Sequence, residues 1–205
     1  MRYELIDTNN LILATRVQYK IFPNEIAYAC YKESIEDNHR HFKYYLVYKE
    51  NVIIGITGLY ANNNFEDNSI WLGWYGVIDE YRLHGFGKQI LFDTFNMAKE
   101  WAEKEPRIKY LRLYTSSRDN KIAQILYKKY MDICEEYNNP NDINFDNTCL
   151  VYTKVIRKGD NNKMWNNRFL NLKNGDELIN NGLHEFIRLT NGDINIQISS
   201  TGEIF

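Results

Sequence analysis

The chain has little of what marks a secreted, membrane-spanning or metal-built protein. Its three cysteines, Cys30, Cys134 and Cys149, are odd in number and none stands in a CxxC pair, so neither a disulfide framework nor a zinc ribbon is written here. No apolar run approaches the length of a membrane span, and Met1-Arg2-Tyr3-Glu4 does not begin a signal peptide. Charge of one sign is also missing. The 25 Lys and Arg against 27 Asp and Glu leave a net charge of −2, which gives no basic footprint for nucleic acid. These absences point to a reduced, cytoplasmic protein without a metal, a membrane segment or a nucleic-acid partner. Fixed-period repeats and low-complexity tracts are absent too, so the 205 residues read as one sizeable core with a small appendage.

One stretch carries a chemical accent, Trp71 to Ala102. Its first part, Trp71–Ile78, is aromatic and β-branched with two glycines inside it. A glycine within a strand marks a bulge or a close backbone approach. Its last part places Ile90, Leu91, Thr94, Phe95, Ala98, Trp101 and Ala102 on one helical stripe. Between them lies Arg82-Leu83-His84-Gly85-Phe86-Gly87-Lys88. A helix starts with N–H groups that lack an intrahelical partner, at the positive end of its dipole. Glycines there let the backbone fold around an anion, and a phosphate or pyrophosphate is the natural guest. From these residues alone the loop is either such a cradle or a tight turn. Two phosphate motifs are excluded: there is no GxxxxGK[ST], and GxGxxG lacks its third glycine.

Around this centre the chain alternates between strand-like and helix-like segments. Arg2–Ile6 is a short strand, Asp7-Thr8-Asn9 offers N-caps, and Leu11–Phe22 and Glu25–Glu36 are helices. The polar tail Asp37–His41 reads as solvated surface, since histidines at i and i+2 do not share a helix face. Phe42–Tyr48 and Asn51–Tyr60 are strands joined by a short connection, and Ser69–Ile78 follows a polar loop. Pro106 ends the central helix, Ile108–Thr115 alternates as a strand, and Asp119 is a fair N-cap. Asn120–Met131 is then a helix with Ile122, Ala123, Leu126, Tyr127 and Tyr130 inward, and Cys149–Ile156 is a strand that buries its cysteine, as Cys134 is buried. The fold class is therefore α/β (α+β), a mixed sheet flanked by helices.

Four motifs in this order resemble the GCN5-related N-acetyltransferase (GNAT) superfamily over about residues 1–157. They are V-x-x-x-x-R-x-x-G-x-G through Val77, Arg82, Gly85 and Gly87; the Ile54-Gly55 strand; the Tyr110–Tyr114 strand; and the N-x-x-A-x-x-L-Y-x-K helix from Asn120 to Lys129. Asp79 stands where the family often has proline, and Met131-Asp132 where it has Gly-Phe. The resemblance implies a mostly antiparallel sheet and an acyl-CoA-dependent N-acetyltransferase with acetyl-CoA as cosubstrate and no metal. The backbone at Val77 would pair with the pantetheine arm where the sheet splays. Amides of Leu83, His84, Gly85, Phe86, Gly87 and Lys88 would hold the pyrophosphate, with Arg82 bracing the loop and His84 a solvent-facing spacer. Asn120 would contact the cofactor, and Tyr127 would be the general acid toward the thiolate. The base is left open among Glu33, Glu36, Glu66, Asp67 and Asp79. No cysteine is an evident acyl carrier, so direct attack in a ternary complex is expected. The acceptor is read as a small-molecule amine; a protein amine, or a non-catalytic acyl-CoA-binding module, stays as an alternative.

Residues 158–205 form a second unit. Lys158–Lys163 is a polar boundary, and Asn-Gly pairs at 174–175, 181–182 and 191–192 are turn signals. About 45 residues are too few to fold well alone. This small β-rich extension is expected to pack on the main domain or on a second subunit, the latter making a homodimer.

Overall fold

Alternating segments become strands and 3.6-periodic segments become helices along most of the chain. The structure, a computed structural model, describes residues 1–23, 25–61, 68–118, 120–138, 148–157, 165, 184–188 and 194–198. In order it has β1 (Arg2–Leu5), α1 (Leu11–Ile21), α2 (Tyr28–Glu36), β2 (Phe42–Lys49), β3 (Val52–Tyr60) and β4 (Ser69–Val77). After these come α3 (Phe86–Lys104), β5 (Tyr110–Ser116), α4 (Lys121–Tyr130), β6 (Ile133–Asn138) and β7 (Thr148–Val155). Seven strands pair in the order β1-β2-β3-β4-β5-β7-β6. Only β4 with β5 is parallel. The mixed, mostly antiparallel sheet flanked by helices is the expected architecture.

Side-chain alternation divides the core between two faces. On one face Val17 and Ile21 of α1 and Cys30 and Tyr31 of α2 meet Tyr44, Leu46, Ile56, Tyr60 and Trp71. On the other, Leu91, Phe95, Ala98 and Trp101 of α3 meet Leu59, Ile70, Leu72, Leu111 and Leu113. Each fully buried Leu, Ile or Phe side chain contributes about 1.5–3 kcal/mol. The two faces are thus separate hydrophobic clusters with different helices, and any molecule threading the sheet passes from one to the other.

Several local expectations are corrected. β6 was not anticipated, because ICEEYN carries two adjacent carboxylates; it is an edge strand, where charge is tolerated. Cys134 is exposed and Cys149 half-buried, so only Cys30 among the three is buried. His41 is buried, edge-on to Phe42 at 6.4 Å. The first helix is preceded by Asn10, whose carboxamide accepts from the Asp7 N–H at 2.9 Å while the Asp7 carboxylate accepts from the Asn9 and Asn10 amides. The second helix begins at Tyr28. On α4, Ile122 points to solvent and Gln124 inward. Asp119, Glu66 and Asp67 lie outside the described residues, as do the tail stretches 166–172 and 176–180. The tail does contain an antiparallel pair, β8 (His184–Arg188) with β9 (Ile194–Ile198).

A close helix–strand approach makes one residue testable. A Cβ on Gly76 of β4 would stand 2.4 Å from Ile21 Cγ2 and 3.2 Å from the Phe22 ring. Gly76→Ala must push the end of α1 off the sheet, and should destabilise by about 1–3 kcal/mol. A lower denaturant midpoint at unchanged slope is the expected result; an unshifted midpoint would show that α1 is not seated there.

Candidate active site

The sheet opens because of how β4 is built. Gly58 of β3 faces Gly73 and Ile56 faces Gly76, so Thr57 alone opposes both Trp74 and Tyr75. That extra residue is a β-bulge, and Trp74 takes a left-handed φ of 48° to make it. Pairing of β4 with β5 is confined to Ser69↔Tyr110, Ile70↔Leu111 and Trp71↔Arg112. Beyond Trp71 the strands diverge, and β5 continues against β7 as far as Ser116↔Cys149. A fork results, with the edge of residues 72–77 lacking a strand partner on the β5 side. Such an edge is a template for an extended guest.

Val77 ends β4 beside the helix that would hold an anion. A 3-10 turn over Asp79–Tyr81 leads into a loop in which Leu83 (φ 65°) and Gly85 (φ 83°) are both left-handed. A Cβ on Gly85 would meet nothing within 4 Å, so its conformation, not space, calls for glycine. The first amide bonded in the helical pattern is Gln89, to the Gly85 carbonyl at 3.1 Å. Among the described residues, the N–H groups of 83 through 88 donate to no backbone carbonyl and no side chain caps α3. The loop is nevertheless braced. Arg82 Nε donates to the Val77 carbonyl at 3.0 Å and its guanidinium lies 2.7 Å from Asp79. His84 Nδ1–H donates to the Arg82 carbonyl at 2.7 Å, and its exposed ring stacks on Phe86.

Tyr75, which sequence reasoning did not single out, joins this loop to the interior. Its hydroxyl donates to the Gly87 carbonyl at 2.6 Å, and its ring lies 6.2 Å from that of Tyr127. Tyr127 is buried on α4 between Tyr75 and Tyr152, whose ring is 5.4 Å away. Burial first, and the neighbouring Tyr75 and Tyr152 next, push the Tyr127 phenol well above its ordinary value. Among the described residues its hydroxyl has no hydrogen-bond partner. Asn120 stands two turns away as the left-handed N-cap of α4 (φ 56°), with Nδ2 3.4 Å from Thr115 Oγ1 at the end of β5. Buried Gln124 fixes that corner by donating to the carbonyls of Ser116 and Ser117 at 3.0 Å. The structure thus gathers Val77, the 82–88 loop and Tyr127, and leaves Asn120 at the rim.

A second unforeseen cluster lies just outside the loop. Lys88 Nζ sits 5.8 Å from the Phe92 ring and 5.6 Å from that of Tyr130, and these two rings meet edge-on at 4.9 Å. They border a cavity of about 180 Å³ that Lys99 and Lys154 also line. The spacing of Lys88 and Phe92, one helical turn apart, was the available signal.

The carboxylates proposed as bases separate in space. Asp79 is tied to Arg82 on the surface, and Glu36 to Lys32 at 3.6 Å on the outer flank of α2. Glu33 is half-buried near Cys30 and Tyr44. A further one, Glu25, follows α1. The residue is exposed, while desolvation by neighbouring protein atoms holds its carboxyl pKa up. Gln18 fixes that turn by donating to the Glu25 carbonyl and accepting from the Ala27 N–H, both at 2.9 Å. Among the described residues no group of three or more His, Cys, Asp or Glu could hold a metal, and no helix is long and apolar enough to cross a membrane.

Comparison with known proteins is consistent with this geometry. The family model described as acetyltransferase (GNAT) family matches residues 12–133. The ribosomal-protein-S18-alanine N-acetyltransferase of Escherichia coli is 11% identical, with a TM-score of 0.59, covering 78% of this chain and 97% of its own. A mutant spermidine N-acetyltransferase from Vibrio cholerae is 14% identical, with a TM-score of 0.58 and coverages of 76% and 95%. A GNAT family acetyltransferase from Elizabethkingia anophelis, solved with acetyl-CoA bound, is 19% identical, with a TM-score of 0.50 and coverages of 68% and 88%. At these identities the likeness is one of fold. No curated protein matches the chain.

The brace on the loop yields a direct test. Arg82→Ala removes one buried-end hydrogen bond and an exposed ion pair, together about 1 kcal/mol of local stability. Amide hydrogen exchange at Tyr81 and Arg82, whose N–H groups are bonded to the Ile78 and Asp79 carbonyls, should accelerate several-fold while the global melting temperature barely moves. Unchanged exchange would mean that the loop holds its shape without Arg82.

Proposed function

The chain belongs to the acetyltransferase (GNAT) family, and we propose that it transfers acetyl from acetyl-CoA to the primary amine of a small molecule. It is an acyl-CoA-dependent N-acetyltransferase. The observation that carries the assignment of roles is the joining of three features on one face: the open β4 edge, the unpartnered amides before α3 and the buried Tyr127 phenol, linked through Tyr75.

Each role follows from what the residues offer. The unpaired edge of 72–77, ending at Val77, supplies backbone donors and acceptors to the pantetheine arm. The amides of Leu83, His84, Gly85, Phe86, Gly87 and Lys88 hold the pyrophosphate at the positive end of α3. Arg82 keeps the loop in shape, and Asn120 contacts the cosubstrate from the β5 rim. Acetyl-CoA bound there presents its thioester at the fork. The amine nitrogen then forms the new C–N bond as the C–S bond breaks, and Tyr127 gives its proton to the departing sulfur. Burial keeps that phenol protonated over the whole physiological range, the state a proton donor requires.

Direct attack is favoured over an acyl-cysteine route. Burial pushes the Cys30 thiol up to about 12, so it is not a thiolate near neutral pH. The attacking amine must itself lose a proton, and Glu33, near Cys30 and Tyr44, and Glu25 are our candidates to receive it. That face is closely filled by Tyr31, Tyr44, Tyr60 and Trp71, which suits a small amine better than an extended polypeptide. We assign residues 1–157 to the transferase domain and 158–205 to an extension that packs on it or on a second subunit. A reducing, cytoplasmic setting suits three free cysteines.

Two substitutions separate binding from chemistry. Gly85→Glu adds bulk and negative charge at the anion site and should abolish acetyl-CoA binding in calorimetry; retained affinity would refute the loop assignment. Tyr127→Phe should lower kcat about 10²-fold, the usual scale for a lost general acid, with the KM for acetyl-CoA nearly unchanged. An undiminished rate would remove its role. Because the Tyr127 pKa is raised, its acid form persists as pH rises, so kcat should show no alkaline decline near pH ~10, the ordinary tyrosine value. A Tyr127-dependent decline there would contradict the buried phenol.

A further inference from the structure

Among the described residues, the α1–α2 face of the fork contains one from outside the family-like domain. Trp165 is 4% exposed and belongs to the same hydrophobic cluster as α1, α2 and Trp71. Its ring stands edge-on to Trp71 at 5.4 Å and 80°. Trp71 is the last β4 residue paired with β5, so it marks the point where the fork opens. Tyr114 of β5 meets the same indole from another side at 6.2 Å, and Tyr60 stacks on it at 6.3 Å.

Trp165 is held there by its main chain. Its N–H donates to Glu135 Oε2 at 2.8 Å. Glu135 is buried on β6 with its carboxylate 3.8 Å from buried Arg112. Arg112 in turn donates to Ser69 Oγ at 2.8 Å and Thr153 Oγ1 at 2.5 Å. Two charges withdrawn from water in this way are costly unless well paired. They are built in where they fasten one backbone amide of the extension beside the fork. The clamp does not involve the indole.

The two faces have different traffic. The amide loop and Tyr127 lie with α3 and α4, so the acyl donor approaches from there, and the amine reaches the fork from the α1–α2 face. We propose that Trp165, packed behind Trp71 and beside the half-buried Tyr114, sets the position of the aromatic wall on which the acceptor amine lies, so that this residue of the C-terminal extension is a positioning residue for acceptor specificity. This rests on the transferase reading above. The chemistry of the wall names the class: the open part of the Tyr114 ring suits an aliphatic amine carrying a second cationic group.

The test measures thiol release from acetyl-CoA with aliphatic diamines, polyamines, aminoglycosides and a short peptide, using the full chain and its Trp165→Ala and Trp165→Phe variants. Since the tether is a main-chain bond, both variants keep it. Trp165→Ala lets Trp71 and Tyr114 shift and should raise the acceptor KM about tenfold and reorder the amines, with the KM for acetyl-CoA within about twofold. Trp165→Phe should recover most of the loss. Unchanged acceptor KM and ranking in Trp165→Ala would overturn the proposal. So would a parallel loss of acetyl-CoA affinity and melting temperature that Trp165→Phe does not restore, which describes a packing residue only. If Trp165→Ala does not fold, fluorotryptophan NMR asks the same of the unaltered chain. The resonance that Trp165→Phe removes should shift when the best amine is added to the CoA complex, and no shift at saturation overturns the idea. Wild-type protein that binds acetyl-CoA yet acetylates no amine would fail the transferase reading and the wall with it, an outcome distinct from a failure confined to the Trp165 variants.

Discussion

The structure depends on a pairing that stops. β4 and β5 share only Ser69–Trp71 against Tyr110–Arg112, although both strands run on for several residues. Nothing in hydrogen-bond energetics favours leaving a strand edge unpaired inside a fold. The divergence is forced from two sides. The bulge at Trp74 re-aims β4, and β5 is committed to a seven-residue ladder with β7. Gly76 lets the end of α1 press directly onto the β4 backbone, which fixes the diverted strand in its new direction.

The loop and the helices arrange themselves around that opening. The 3-10 turn after Val77 leads into α3 with its first amides uncapped by side chains. Arg82 stabilises this by returning to the Val77 carbonyl, so the loop is tied to the strand it leaves. Tyr75 ties the start of α3 to the α4 side through Gly87 and Tyr127. The 82–88 loop and Tyr127 are therefore held by contacts to one strand, β4, and a change in its register would displace both.

The fold and the glycine turn before α3 were legible because their signals are local. Alternation in Tyr110–Thr115, the apolar stripe from Ile90 to Ala102 and the Arg82-x-x-Gly85-x-Gly87 spacing each report on a few neighbouring residues. What stayed hidden depends on residues distant in sequence. Nothing local marks Glu135 and Arg112 for burial, since ionised side chains are seldom fully buried unless paired; the pairing partner lies 23 positions away, and Ser69, Thr153 and Trp165, also distant in sequence, complete it. β6 was missed for the same reason. Tyr75 looked like one aromatic among many until the bulge determined which way it pointed. Ile122 and Gln124 exchanged their expected places because the turn after β5 needs a side-chain amide to satisfy the Ser116 and Ser117 carbonyls, a demand no helical periodicity contains.

Burial also sets the chemistry on the two sides of the fork, through one physical effect with opposite uses. Desolvation disfavours whichever form of a group is charged. On the α4 side it keeps the Tyr127 phenol neutral and protonated, the state that the proposed proton donor needs. On the α2 side it keeps the Cys30 thiol neutral, which withdraws the nucleophile that could have competed with an incoming amine. The same penalty holds the Glu25 carboxyl pKa up, toward the range in which a carboxylate exchanges a proton with an ammonium more readily. A sheet that excludes water from both of its faces thus retains a donor on one and suppresses a rival nucleophile on the other. Direct transfer from thioester to amine is the route that this distribution of protons leaves open.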